Sequence, residues 1–511
     1  MPAAKKNAWP FLLLILCCIT LTFQSCRKKR TEMANVLFKR THNIVFKDID
    51  PDEYSAAFKK ILESKRSQLT NPDIIFNHYD QDDYPTFVMD HLWNGDIDIL
   101  VDSLKAVNKH GLDPGYFQPD KIHELAGKLK ESKSIKTKED AYQVMAELEM
   151  LTANSLINYS DALQFGIINP KRIFSRYFMK TTRPDSISMN KVFGVSNMRA
   201  YLDSIRPKDR EYLALQKALA DGVVAPKLSK KETRRILLVN LERLRWKNKP
   251  AEDSYIMVNI PDFHLDVMEK DSVVLSMKVC VGEGRNKKNQ NTLERYDDTC
   301  KLDKPYPHET PLLNSVIHSV QVNPIWNIPQ SIATKEIIVE AAKDPYYLSN
   351  KNIDVYKDGK KIEDSEDIDW SKVTKENNDY DFKQEPGEDN SLGKIKFLFN
   401  NHSNVYLHDT PAKEAFHYSM RAVSHGCVRL EKPLDLAKTL FTDTVKYNMI
   451  AKDMAEDSPD PTDISLRPKM PVYITYITCW TDKNGQLQFR KDVYGLDIVL
   501  YDHLQKFLPV E

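Results

Sequence analysis

The chain has 511 residues, more than one hydrophobic core holds, so two or more domains are expected. Its composition, 41% apolar and 29% charged, is that of an ordinary globular protein. Lys plus Arg and Asp plus Glu each total 73, so no global field recruits nucleic acid or an anionic lipid surface, and no segment resembles a nucleic-acid module.

At the N-terminus, Lys5 and Lys6 precede an apolar run from Trp9 to Phe23, which meets Gln24-Ser25-Cys26. A basic start, a short apolar stretch and a small residue before the cut predict a secretory signal. Ser25 just before Cys26 suits a bacterial lipoprotein signal, in which Cys26 is acylated and becomes the new N-terminus. Phe23 and Gln24 fit a strict lipobox poorly, and Arg27-Lys28-Lys29-Arg30 is an unusual flank for a translocated segment, so an uncleaved anchor remains the alternative. On either reading the bulk of the chain is exported.

From about residue 50 to 245 the periodicity predicts helices. Tyr54, Ala57, Phe58, Ile61 and Leu62 share one face, as do Tyr142, Met145, Leu148, Leu151, Thr152 and Leu156. Turns at His110–Gly115 and Asn169-Pro170 punctuate them. Stripes of this kind are core, and this region is expected to carry no chemistry.

Near residue 250 the period changes. Tyr255–Ile260 and Ser272–Val279 read as β-branched strands, with Gly282 and Gly284 at a following turn. Further strands are predicted at Val316–Val322, Lys394–Phe399, Val472–Ile477 and Gln486–Arg490, the last two joined by the turn Asp482–Gly485. Residues 338–390 interrupt this pattern with a polar, acidic run from Glu363 to Glu388, longer than a simple connection needs. A solvated loop and a lid or small subdomain are both compatible with it. Asp457–Asp463 reads as an exposed loop.

Of seven cysteines, Cys17, Cys18 and Cys26 belong to the signal, leaving Cys280, Cys300, Cys427 and Cys479 for the folded body. These are too few for a disulfide scaffold, and no Cys/His spacing suits zinc; neither metal nor organic cofactor is implied. The densest chemical cluster runs from Tyr406 to Arg429, with Cys427, His408, His417, His425, Arg421 and Arg429. A cysteine needs a nearby base to act as a nucleophile at neutral pH, and imidazole is the usual one. Gly426 allows close approach of a substrate carbonyl, and the N–H groups around Gly426 and Cys427 are candidates to face an oxyanion. Pro433 opens a predicted helix behind this loop. On chemistry alone a catalytic thiol and a buried, inert one remain equally open.

The order of motifs is more specific. His408-Asp409-Thr410 followed by Ser424-His425-Gly426-Cys427-Val428-Arg429 resembles the signature of YkuD-type L,D-transpeptidases. The resemblance extends to the large, YcbB-like members through Asn240–Trp246, Val258–Pro261, Asn323–Pro329, Pro386-Gly387 with Leu392–Phe397, and the tail from Pro471 through Tyr494-Gly495. It covers about 235–505 strongly and the helical part loosely. One departure is the short stretch between Tyr212–Leu215 and Arg234, too short for the inserted three-helix peptidoglycan-binding module of many large members.

The resemblance implies an α+β architecture. A signal or anchor at 1–26 and a linker at 27–49 would precede a helical scaffold at 50–235 and a β-rich catalytic domain at 236–505, with a capping insertion at 338–390. Cys427 would be the nucleophile and His408 its base, oriented by the carbonyl of Asp409. Ser424, His425, Gly426 and Arg429 would support the loop, Tyr406 and Arg421 would bind substrate, and His417 would be structural. The implied reaction cross-links peptidoglycan stem peptides 3→3 in the periplasm of a Gram-negative cell, through a thioester. L,D-carboxypeptidation, attachment of proteins or D-amino acids to the wall, and a non-catalytic wall-binding scaffold are the alternatives. Expected partners are stem peptides and envelope proteins, with membrane contact only through the N-terminal lipid or anchor.

Overall fold

Local capping and periodicity decide where the helices begin and end in the computed structural model, which describes residues 31–80, 87–131, 133–284, 303–456 and 460–509. The signal residues and Cys26 lie outside that range, as does Cys300. Two units are formed. One comprises the residues up to Ala106, Pro114–Ser160 and Asp185–Ser204; the other comprises Val107–Asp113, Asp161–Pro184 and everything from Ile205 onward. The helical scaffold expected at 50–235 is therefore divided, because 107–113, 161–184 and 205–235 pack with the β-rich part.

The first unit is helical. Helix α1 (Glu32–Thr41) is capped by the Thr31 hydroxyl, which accepts from the Ala34 N–H, so the segment expected as a linker holds structure in its described part. In α2 (Pro51–Ser64) the Asp50 carboxylate accepts from the N–H groups of Asp52 and Glu53, and Pro51 fills the first helical position. The predicted stripe becomes core, with Tyr54, Phe58 and Leu62 buried. The long helix α3 (Lys138–Phe165) buries its own stripe and also Glu149, which accepts from the Tyr79 hydroxyl and the Val88 N–H.

In the second unit, the short strand β1 (Tyr177–Phe178) is followed by helix α4 (Lys230–Arg245), which buries polar as well as apolar residues. Arg243 pairs with Asp497 at 2.5 Å, Arg245 with Glu242 at 2.6 Å, and the Asn240 amide donates to the Thr478 hydroxyl. Removing one partner from a buried pair costs about 3–5 kcal/mol, which explains why polar residues occupy the Asn240–Trp246 stretch.

Strands β2 (Ser254–Asn259), β3 (His264–Glu269), β4 (Ser272–Gly282) and β5 (Leu312–Val322) come next. Strand β6 (Trp326–Ile328), β7 (Ile353–Lys357), β8 (Lys360–Ile362) and β9 (Tyr380–Gln384) form a separate small sheet in the order β6-β9-β7-β8. The main sheet resumes with β10 (Ile395–Phe399), β11 (Leu407–His408), β12 (Ala422–Ser424) and β13 (Val428–Leu430). Helix α5 (Pro433–Leu440), with the predicted proline in its first turn, leads on to β14 (Thr462–Thr475). A hairpin of β15 (Cys479–Thr481) and β16 (Leu487–Phe489) turns at Gly485, and helix α6 (Leu496–Leu504) follows.

The main sheet runs β5-β10-β11-β13-β4-β3-β2-β14, and β14 also pairs with β5, so the path closes on itself. Closure leaves these strands without a long open edge. Two expectations shift here. Thr462 and Asp463, read as loop, open β14 by pairing with Val322 and Gln321. The insertion expected at 338–390 begins earlier, because β6 at Trp326 pairs with β9. It is a folded subdomain with its own core of Ile328, Ile337, Leu348, Val355, Trp370 and Phe382.

Candidate active site

Strand alternation sorts the Tyr406–Arg429 cluster onto one face. In β10 Ile395, Phe397 and Phe399 are buried, and in β13 Val428 and Leu430 are buried, so Lys396 and Arg429 point the other way. Register lines up Lys396 with His408, His408 with Arg429, and Arg429 with Cys280. Cys427 directly precedes Val428, whose partner is Leu407, while His408 directly follows Leu407. Adjacent strands lie about 4.8 Å apart, so nucleophile and base candidates share one small patch. Tyr406 belongs to it too, its ring 5.7 Å from that of His408.

The loop Ser424–Cys427, which carries the candidate nucleophile, is tied by backbone-directed bonds. The Ser424 hydroxyl donates to the Cys427 carbonyl at 2.5 Å and accepts from the Gly426 N–H at 3.2 Å. Gly426 has φ +117°, a conformation that L side chains rarely adopt, and its carbonyl accepts from the Thr310 hydroxyl at 2.8 Å. That hydroxyl also accepts from the Gly282 N–H, and the Tyr494 hydroxyl donates to the Gly282 carbonyl. A Cβ on Gly282 would lie 1.8 Å from the His308 carbonyl, so only glycine fits there. Because Ser424 occupies the Gly426 N–H, that group is not the free oxyanion donor expected from the sequence.

Asp409 does more than present a carbonyl. Its carboxylate accepts from the Lys394 N–H at 2.9 Å and pairs with Lys413 at 2.5 Å, and Gly393 leaves room for it. The backbone carbonyls of Asp409 and Leu392 favour the protonated His408 ring, yet burial, followed by the Arg429 charge, dominates and lowers its pKa to about 3. His408 Nδ1 is buried and makes no hydrogen bond of full geometry among the described residues. Burial likewise pushes the Cys427 thiol up to about 11, against the opposing pull of Tyr406, Arg429 and Lys396. Thiol and imidazole are therefore both neutral near pH 7.

The remaining predicted residues separate by role. Arg421, expected to bind substrate, is instead an anchor: it is buried and donates to the carbonyls of Val279, Tyr418 and Phe263. Arg429 makes no ion pair among the described residues, and its Nε is buried without a partner. His417 is exposed on a short helical turn. His425 turns away to Glu336 of the inserted subdomain, with Nε2 and Oε1 2.5 Å apart. Its ring stands 4.6 Å from that of His308, whose Nδ1 lies 3.7 Å from Glu283. Glu336 sits in a single π-helical stretch, Ala333–Ile337, a feature common at functional sites.

Sequence reasoning missed Lys396, Glu336, His308 and Thr310. Lys396 stood inside the Gly393–Phe397 stretch that carried the resemblance, and its period-2 position was the available signal. The others come from distant segments and had none. Cys280, Cys427 and Cys479 are free thiols, and no group of three or more metal-ligating side chains is assembled among the described residues. No described helix is long and apolar enough to cross a membrane.

Comparison with known proteins bears on the domains that hold this site. Residues 253–474 match the family described as YkuD, the L,D-transpeptidase catalytic domain, and residues 73–219 match the family described as Scaffold domain. The chain thus has the domain pair of the large, YcbB-like members, a helical region and a β-rich YkuD domain. A protein of Haemophilus influenzae that carries the provisional name L,D-transpeptidase is 28% identical over 267 residues, covering 51% of this chain and 48% of that protein. The chain thus matches about half the length of this curated relative. A solved structure described as the Ldtfm-avibactam carbamoyl enzyme aligns with 11% identity and a TM-score of 0.19 over 44% of this chain and 49% of its own, a likeness that carries no argument.

Proposed function

We propose that this protein is an L,D-transpeptidase that joins peptidoglycan stem peptides 3→3 through a thioester on Cys427. The observation that carries the reading is the pairing of β11 with β13 inside the matched catalytic domain, which sets His408 and Cys427 on one face of adjacent strands.

The neutral resting pair suits general-base attack. The Cys427 S–H bond breaks as His408 takes the proton, and the sulfur pair attacks the carbonyl carbon of the third stem residue in a donor tetrapeptide. The Cys427 N–H has no acceptor among the described residues, so it is the donor left for the oxyanion. Collapse breaks the C–N bond, and His408 returns its proton to the departing D-Ala amine. An acceptor stem's diamino-acid side-chain amine then attacks the thioester, His408 takes a proton from it, the C–S bond breaks, and the Cys427 thiolate leaves and takes that proton back from His408.

Water competes with that amine, so a cover over the thioester favours transfer. The subdomain from Trp326 to Gln384 is suited to this role through the Glu336–His425 contact. Incubation with disaccharide tetrapeptide and mass spectrometry of the muropeptides tests the reading. The expected product is a 3→3 dimer with free D-Ala. Free D-Ala with tripeptide alone would mark an L,D-carboxypeptidase, and an unchanged substrate would mark a wall-binding scaffold.

We also infer a periplasmic, lipid-anchored location through Cys26, supported by the basic and apolar run before Ser25. Metabolic labelling with palmitate should be lost in Cys26→Ala; retained labelling contradicts the anchor.

A further inference from the structure

Proton transfer from Cys427 to His408 creates a thiolate in a buried place, and a thiolate there needs positive charge nearby. Arg429 supplies some of it, but it also opposes the imidazolium that forms on His408. A second cation stands on the same face. Lys396 projects from β10 as the register partner of His408, and its ammonium lies over the Tyr406 ring, 5.6 Å from the centroid.

No carboxylate lies within 4.0 Å of the Lys396 ammonium among the described residues. A negative group that bears on it is Asp463 of β14, reached across Gln321 of β5, whose amide donates to that carboxylate at 3.1 Å. Burial lowers the Lys396 pKa, and the charges of Asp463 and Cys427 raise it. A partly desolvated cation without an ion-pair partner costs folding free energy, so something must be gained from its charge. Tyr406 connects it to the sulfur: the ring carries the ammonium on its face, and the tyrosine hydroxyl and N–H both favour the Cys427 thiolate.

We propose that Lys396, held on the face of Tyr406, is a positioning residue that stabilises the Cys427 thiolate while the proton passes to His408. The S–H bond breaks, the N–H bond forms on imidazole, and the electron pair remains on sulfur beside the Tyr406 hydroxyl. The charged and titratable groups around that sulfur are Tyr406 just before β11, His408 from β11, Arg429 from β13 and Lys396 from β10; Asp463 from β14 bears on Lys396. The proposal rests on Cys427 being the nucleophile, but its test needs no peptidoglycan substrate.

The test is the pH profile, from 6 to 11, of Cys427 alkylation by iodoacetamide in the full chain, with peptide mapping to separate Cys427 from Cys280, Cys300 and Cys479. Lys396→Met should displace the rising limb of the profile by about one pH unit to the alkaline side and slow alkylation at pH 7 by ~10-fold. Lys396→Arg should recover most of the rate, and Tyr406→Phe should shift the profile in the same direction as Lys396→Met. Lys396→Gln decides by the same profile if the methionine variant does not fold. A charge-neutral variant whose profile overlays that of the unmodified chain overturns the proposal, as does an arginine variant that behaves like the methionine one. A Cys427 thiol inert up to pH 11 in the unmodified chain would instead overturn the nucleophile assignment.

Discussion

The second unit holds two sheets built on different terms. The main sheet closes on itself, and the Ser424–Cys427 loop beside it is fixed through Ser424, Thr310, Gly282 and Tyr494. The capping sheet has a private core around Trp370 and Phe382 and touches the loop through Glu336 and His425. Burying each large apolar side chain contributes about 1.5–3 kcal/mol, so the capping core stands on its own. The Glu336–His425 contact, with side chains 47% and 30% exposed, is worth about 1 kcal/mol or less. One sheet fixes the Ser424–Cys427 loop through buried bonds; the other meets it through a half-exposed pair.

The largest expected effect lies in the rigid sheet. Cys427→Ala should abolish acyl-enzyme formation, read by intact mass, while leaving the fold unchanged by circular dichroism. His408→Gln should slow acylation by about 10²–10⁴-fold with the thiol still present, the range for loss of a general base. His425→Ala should cost much less in the same assay, and the reverse ranking would reassign the base.

Stability carries the next effect. Between pH 6.5 and about 3 the unfolded chain binds a proton at histidine 408 that the folded chain refuses. Stability from this group is therefore full above the unfolded value and is lost as pH falls through that window. Near pH 4.5 the loss is about 2–3 kcal/mol. His408→Gln should flatten the pH dependence of the urea midpoint between 7 and 4.5 by that amount; parallel curves would show that His408 is not held neutral.

The smallest effect belongs to the cap. Glu336→Gln should leave acylation nearly unchanged and raise thioester hydrolysis relative to cross-linking by up to ~5-fold, the equivalent of about 1 kcal/mol. Unchanged partitioning would separate the cap from water exclusion.

Much of this was legible in the sequence. The helical stripes of Tyr54–Leu62 and Tyr142–Leu156, the strands near Ser272 and Lys394, and the turn at Gly485 are set by local periodicity, which a single chain displays. Strands β11, β12 and β13 were not, because two- and three-residue strands carry no period and depend on partners such as Cys280 and Gly282. Cys427 and His408 were singled out by motif order rather than chemistry, since a cysteine beside three histidines left the role open, and the structure brings the two onto neighbouring strands. Arg421 misled because an arginine near a cysteine looks the same in sequence whether its donors meet substrate or the carbonyls of Val279 and Phe263. Glu336 could not be foreseen, since its partner His425 lies 89 residues away.

Joint action of Cys427 and His408 is tested most directly by intact-mass measurement during turnover of a disaccharide tetrapeptide donor. The predicted result is a transient tripeptide adduct that maps to Cys427, forms together with free D-Ala, and builds up far more slowly in His408→Gln. Release of D-Ala with no adduct on Cys427, or an adduct that forms equally fast without His408, would contradict it.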